Sequence, residues 1–146
     1  MKTTKRVKIF ALLAVGAVIG FGAMFFIDTT APKSADAKKT EINLPELNFQ
    51  ASIGKKLFDS NCSQCHGDNG TGSDSGPPLV HDVYNAGHHG DAAFYRAVKN
   101  GSPQHHWNFG NMPPVPAVKE TQVGSIIQYV RALQAANGVV YKKHSM

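Results

Sequence analysis

Cys62-Ser63-Gln64-Cys65-His66 is the stretch that decides how this chain folds. Its two cysteines are the only ones in 146 residues, and they stand three apart. A disulfide at that spacing closes a loop too small to stabilise anything beyond it. A thioredoxin-type redox pair needs a βαβ frame, and no strand pattern surrounds this one. Half of a zinc site needs a second cysteine pair, which the sequence lacks. The adjacent His66 completes C-x-x-C-H, the attachment pattern of a c-type haem. Thiols at this spacing reach two vinyl groups on adjacent pyrrole edges, and the imidazole that follows projects toward the iron.

Outward from the motif the chain reads as short helices and long loops. Ser52 is a plausible N-cap, and Ile53, Leu57 and Phe58 follow at helical spacing up to Asn61. Residues 67–78, with four glycines and two prolines, read as loop. Asp91 looks like a second cap; Phe94, Tyr95, Ala97 and Val98 follow, and Gly101 ends that segment. Residues 102–116 hold four prolines and read as loop again. Thr121 opens the longest helix, with Val123, Ile126, Ile127, Val130 and Leu133 on one face and Asn137-Gly138 as its stop. No strand pairs emerge. Three such helices bury too little apolar surface to be stable unless something large fills the middle, and a covalent haem is that filling.

The chain from about Ser52 to Gly138 resembles the class I cytochrome c family. A Gly-x-x-x-Phe-like start ahead of C-x-x-C-H is matched by Gly54-Lys55-Lys56-Leu57-Phe58, and a Gly-Pro-x-Leu turn by Gly76-Pro77-Pro78-Leu79. A methionine in a Pro-rich loop is matched by Gly110-Asn111-Met112-Pro113-Pro114, and an aromatic on the C-terminal helix, packed near the first helix, by Tyr129. The resemblance implies an all-α class I cytochrome c fold, with three to four helices around one covalent haem c. It implies that Cys62 and Cys65 carry the haem and His66 binds its iron. It also implies that the Pro77 carbonyl accepts the Nδ1–H of His66, leaving Nε2 for the metal.

The sixth ligand can be approached by elimination. Only Met112 and Met146 follow the motif, and Met146 is the last residue. A thioether is a soft donor that suits iron and raises its reduction potential relative to imidazole. Pro113 and Pro114 stiffen the loop that would present it. The rivals are His81, His88, His89, His105 and His106, any of which would give bis-histidine iron at lower potential; the bland alternative is a Met112 that is simply packed. A six-coordinate iron leaves no position for substrate, and no nucleophile–base pair or carboxylate dyad appears elsewhere, so the expectation is outer-sphere electron transfer and no enzyme.

Six of the seven histidines are not the proximal ligand. The adjacent pairs His88-His89 and His105-His106, the latter followed by Trp107, go beyond the family pattern. Three readings stand side by side: a second metal site for copper or zinc, hydrogen bonds to the haem propionates (a role open to Trp107 as well), and surface histidines with no role. Neighbouring histidines point apart in a strand, so a chelate would need one from each pair to meet in space.

Residues 9–27 carry no charge, and four basic residues precede them. Nineteen residues make a helix of about 28 Å, close to a ~30 Å hydrocarbon core. Residues 1–8 then form a basic cytoplasmic terminus, and 9–27 a transmembrane anchor or the apolar region of a cleaved signal peptide, with Ala35-Asp36-Ala37 as a candidate cleavage site. Residues 28–51 read as a flexible linker, in which 43–49 carry apolar residues able to pack on the domain. Residues 52–138 read as the haem domain and 139–146 as a tail. Either N-terminal reading exports the domain to the periplasmic side of a bacterial inner membrane. The net charge of +5 is concentrated at the N-terminus; from residue 31 on, 11 basic residues face 9 acidic ones. No basic stripe with interleaved aromatics appears, so neither nucleic acid nor a small-molecule substrate is expected. The expected partners are redox proteins and the membrane, and the expected role is an electron shuttle. The alternatives are a copper-binding or redox-sensing module and an accessory cytochrome subunit of an oxidase or dehydrogenase.

Overall fold

The computed structural model describes residues 41–143, which belong to a single unit. The expected anchor at 9–27 lies outside the described residues, and no helix among those described is long and apolar enough to cross a membrane. Four α-helices follow in order: α1 (Phe49–Asn61), α2 (Ser63–His66), α3 (Asp91–Asn100) and α4 (Glu120–Ala136). Two 3₁₀ turns, Asp68–Gly70 and Asp82–Tyr84, punctuate the loop between α2 and α3. Among the described residues there are no strands, only the isolated bridges Ser73–Gly76 and Ser102–Met112. The fold is the all-α one that the helix patterns and the resemblance imply.

The first helix begins four residues ahead of the expected start. Asn48, not Ser52, is its N-cap: extended at φ −67° and ψ 171°, it accepts a hydrogen bond from the Ala51 N–H through Oδ1 at 2.8 Å. Both residue types cap helices well. Packing decides between them, because Ile42 and Leu47 lie against the core and Asn43 is tied to Asn137 at the end of α4 through its N–H and its C=O. The segment expected to pack on the domain does so, and the linker stops short of residue 51. Asp91 is the first helical residue of α3 behind the cap Gly90, where its charge suits the N-terminal end of the helix dipole. Helix α4 starts at Glu120 behind Lys119, whose N–H donates to Gln122 Oε1 at 2.9 Å.

The core lies where α1 crosses α4. All five expected apolar positions of α4 are buried, together with Phe58 and Tyr129. Gly54 allows the crossing: a Cβ there would run into the Ser125 carbonyl oxygen of α4. Phe58 and Tyr129 meet edge to face at 5.5 Å, and the Tyr129 hydroxyl donates to Asn69 Oδ1 at 2.8 Å. Helix α4 thereby grips both α1 and the loop that follows the cysteine motif.

Candidate functional site

A one-turn helix holds the motif. The His66 N–H donates to the Cys62 carbonyl at 2.9 Å, so Cys62 and Cys65 fall on neighbouring positions of one turn with His66 beside them. Both thiols are free; Cys62 is half-buried and Cys65 exposed. Burial, reinforced by the nearby Cys65, pushes the Cys62 thiol up to about 11, so it is protonated at neutral pH. Gly67, at φ 72°, turns the chain out of the helix, and a hydrogen bond from the Gly72 N–H to the His66 carbonyl brings it back.

That return loop delivers Pro77 to His66. Gly76 passes so close to the Cys65 carbonyl, which a Cβ would meet at 2.7 Å, that no larger residue fits without a shift. The Pro77 carbonyl oxygen consequently lies 2.9 Å from His66 Nδ1. Burial lowers the His66 pKa, against the opposing pull of the Pro77 bond, so the ring is neutral. With Nδ1–H donated to a carbonyl, the remaining lone pair is on Nε2.

Cys62, His66, Pro77 and Met112 line one cavity of about 660 Å³, within the range of roughly 300–1,000 Å³ usual for small-molecule and cofactor sites. Phe58 and Ile126 form part of its wall, so the α1–α4 core continues into the cavity lining. Cys65 stands outside that lining. Met112 is held by two backbone hydrogen bonds to Ser102, both 2.9 Å, which close the loop between them. Gly101, at φ 75°, sits against the Met112 carbonyl and the Pro114 ring, positions that a Cβ would fill. His81 is engaged elsewhere. Its Nδ1 accepts from the Val83 N–H at 3.2 Å, which leaves the proton on Nε2 and no lone pair there for a metal.

This site fits a covalently held haem on its own chemistry. The Cys62 thiol, a neutral imidazole with a fixed tautomer and a thioether-bearing loop line one cavity, and the second free thiol, Cys65, stands one helical turn from Cys62. One polar atom in the wall is also left over. Trp107 Nε1 is buried without a well-formed hydrogen bond, although the Tyr84 hydroxyl is near enough to feel it. A buried donor without an acceptor is costly, and a carboxylate on the cavity's occupant would satisfy it.

The histidine pairs meet. His88 Nε2 and His106 Nε2 are 3.0 Å apart, and His89 Nε2 and His105 Nε2 are 3.3 Å apart. All four rings line the same cavity. His88 and His89 lie in a turn rather than a strand, which lets their ring centroids come within 4.6 Å, edge to face.

Two residues that the sequence patterns missed hold this region in place. Arg131 of α4 donates to the Tyr84 carbonyl at 2.8 Å and the His89 carbonyl at 2.6 Å, pairs with Asp91 and lies 5.0 Å from the Phe94 ring. Buried Gln134 donates to the carbonyls of Leu79 at 2.8 Å and Tyr84 at 3.1 Å, and accepts from Arg131 at 2.7 Å. Two polar residues on the otherwise apolar side of a helix were the available signal: burying them is costly unless they satisfy something.

Comparison with known proteins places this architecture. The Cytochrome c family model matches residues 51–134, more than half of the chain. The chain is also 35% identical over 88 residues to the Cbb3-type cytochrome c oxidase subunit CcoP of Rubrivivax gelatinosus, an alignment covering 58% of this chain and 26% of that protein. The match therefore spans about a quarter of that relative's length.

Proposed function

This chain belongs to the cytochrome c family and carries electrons on haem, and from that premise we propose that it holds a single haem c bound to Cys62 and Cys65, with His66 and Met112 as the two iron ligands. The arrangement of His66 carries the reading: a neutral imidazole whose Nδ1–H points at the Pro77 carbonyl 2.9 Å away and whose Nε2 keeps a lone pair in a cavity shared with Met112. Bound there, the haem supplies a one-electron couple. The protein's residues do the rest. Pro77 holds the proton at His66 Nδ1 and so fixes the ring's tautomer and direction. The Ser102–Met112 bridge and the Pro113-Pro114 pair hold the thioether loop at low entropic cost. Phe58, Leu79 and Ile126 exclude water from the cavity wall. With His66 and Met112 both holding the iron, no ligand position would be left open for a substrate, and the haem would supply outer-sphere electron exchange.

The domain works on the periplasmic side of a membrane, tethered through residues 9–27, and exchanges electrons with other redox proteins. A second reading follows from the relative, which is an oxidase subunit: the chain serves as a docked cytochrome of a larger complex. The test is covalent haem content. Exported protein is run on a denaturing gel, stained for haem and weighed by mass spectrometry. One haem that survives denaturation in the wild type, and its loss in Cys62→Ala/Cys65→Ala, is the expected result. A protein that exports and folds without haem contradicts the reading. Co-purification from solubilised membranes separates shuttle from subunit, since only a subunit stays with a large partner through gel filtration.

A further inference from the structure

Nothing in electron carriage by a His/Met haem requires four more imidazoles in contact. We infer that His88, His89, His105 and His106 form a binding site for one divalent transition-metal ion, of the copper or zinc class, distinct from the haem iron.

The tautomers carry the inference. His89 Nδ1 lies 2.8 Å from the Val83 carbonyl oxygen, and His105 Nδ1 lies 2.7 Å from that of Pro103. A carbonyl can only accept, so in each neutral ring the proton is on Nδ1 and the lone pair on Nε2. Those two Nε2 atoms face each other at 3.3 Å. Two acceptors at that distance repel unless something positive lies between them. The His89 side is held by Arg131, which anchors the His89 carbonyl, and by Asn85, whose Oδ1 accepts from Gly87 and from the tail residue Lys142; the His105 side is held by its own Nδ1 bond to Pro103.

The spacing suits a metal. With metal–nitrogen bonds of ~2.0–2.1 Å, two ligand nitrogens are separated by ~2.9 Å in a square-planar set and by ~3.4 Å in a tetrahedral one. The two cross-pair separations, 3.0 and 3.3 Å, lie between those limits. The ligand nitrogens of His88, His89 and His106 all lie within 4.8 Å of one another, and His105 joins them through His89, 3.3 Å away. Donation of Nδ1–H to a backbone carbonyl is the usual outer support of a metal-binding histidine. Imidazole suits both copper and zinc, and the divalent affinity order puts copper highest.

The other two readings of the pairs fit less well. Propionates need donors, and the inward nitrogens of His89 and His105 are acceptors. Histidines with no role would turn such lone pairs to water rather than to each other.

The test uses full-length, exported, haem-loaded protein, stripped of adventitious metal with a chelator and then titrated separately with Cu(II) and Zn(II) salts. Metal per haem is counted after gel filtration, and copper is followed by the nitrogen splitting of its paramagnetic resonance spectrum. One metal per haem is expected, with splitting from several imidazoles. His105→Ala and His106→Ala, in an exposed loop, are expected to weaken binding by at least about 10-fold, since loss of even an outer-shell partner costs about 10–100-fold. His105→Ala/His106→Ala, both in the exposed loop, should abolish it while the haem keeps its covalent attachment and the methionine band of its spectrum. That spectrum reports the haem site independently, so failure of one reading is distinguishable from failure of the other. Wild-type protein that retains no metal overturns the inference, as does retention that the single and double variants match.

Discussion

Replacing Gln134 by leucine should loosen the loop that serves His66, and the cost can be worked from the hydrogen bonds. Gln134 is 2% exposed. Its Nε2 donates to the Leu79 carbonyl at 2.8 Å and the Tyr84 carbonyl at 3.1 Å. Tyr84 keeps Arg131 as a donor in the variant, at 2.8 Å. Leu79 keeps no hydrogen-bond donor among the described residues, so one buried carbonyl is left unsatisfied, which costs about 1–3 kcal/mol. Arg131 also loses an acceptor, but its side chain is 20% exposed and water replaces part of that. Leucine's extra apolar burial offsets a fraction of the sum. The expected loss is about 2 kcal/mol for Gln134→Leu, read by guanidinium unfolding of the haem-loaded protein with circular dichroism and Trp107 fluorescence as coincident probes. Hydrogen exchange should accelerate first at residues 79–84. A loss under about 0.5 kcal/mol, or exchange that changes elsewhere first, would refute the reasoning that α4 secures this loop through Gln134.

Further outcomes follow from the same geometry. Gly54→Ala should cost at least about 2 kcal/mol and lower the yield of haem-loaded protein, because the new methyl meets the Ser125 carbonyl across the α1–α4 crossing; unfolding midpoints measure it. Arg131→Ala should cost about 2–4 kcal/mol by denaturant unfolding, because it removes charged hydrogen bonds to the Tyr84 and His89 carbonyls together. Tyr129 has its pKa pushed up to about 12 by burial and by Asp59 and Asp68, above the ordinary value of 10.0. The folded state therefore keeps a proton that the unfolded state loses. Stability from this group is complete below pH 10 and is lost as pH rises toward 12, by up to about 2–3 kcal/mol. Unfolding of wild type against Tyr129→Phe across that window should show the wild type's advantage shrinking and then reversing; parallel curves would contradict the assignment.

Much of this was legible in the sequence because chemistry or periodicity forced it. Cysteines three apart with a histidine behind them leave few uses, and an apolar face of five residues on α4 has to be buried. The glycines at 54, 76 and 101 each mark a close approach that any side chain would obstruct. What escaped was decided by contacts distant in sequence. The cap of α1 moved to Asn48 because Ile42 and Leu47 find the core, a fact with no local signature. The His88-His89 turn is anchored by Arg131, 42 residues beyond His89, and by a tail that folds back onto Asn85, contacts with no local signature.

The central claim is that His66 and Met112 hold the iron between them, and one comparison tests it most directly: absorption spectra of exported, purified protein, oxidised and reduced, for wild type and Met112→Ala. The account predicts the weak near-infrared band of methionine-ligated ferric haem in the wild type and its disappearance in the variant, with covalent haem retained in both. An unchanged variant spectrum would contradict it, and would hand the sixth position to one of the four clustered histidines.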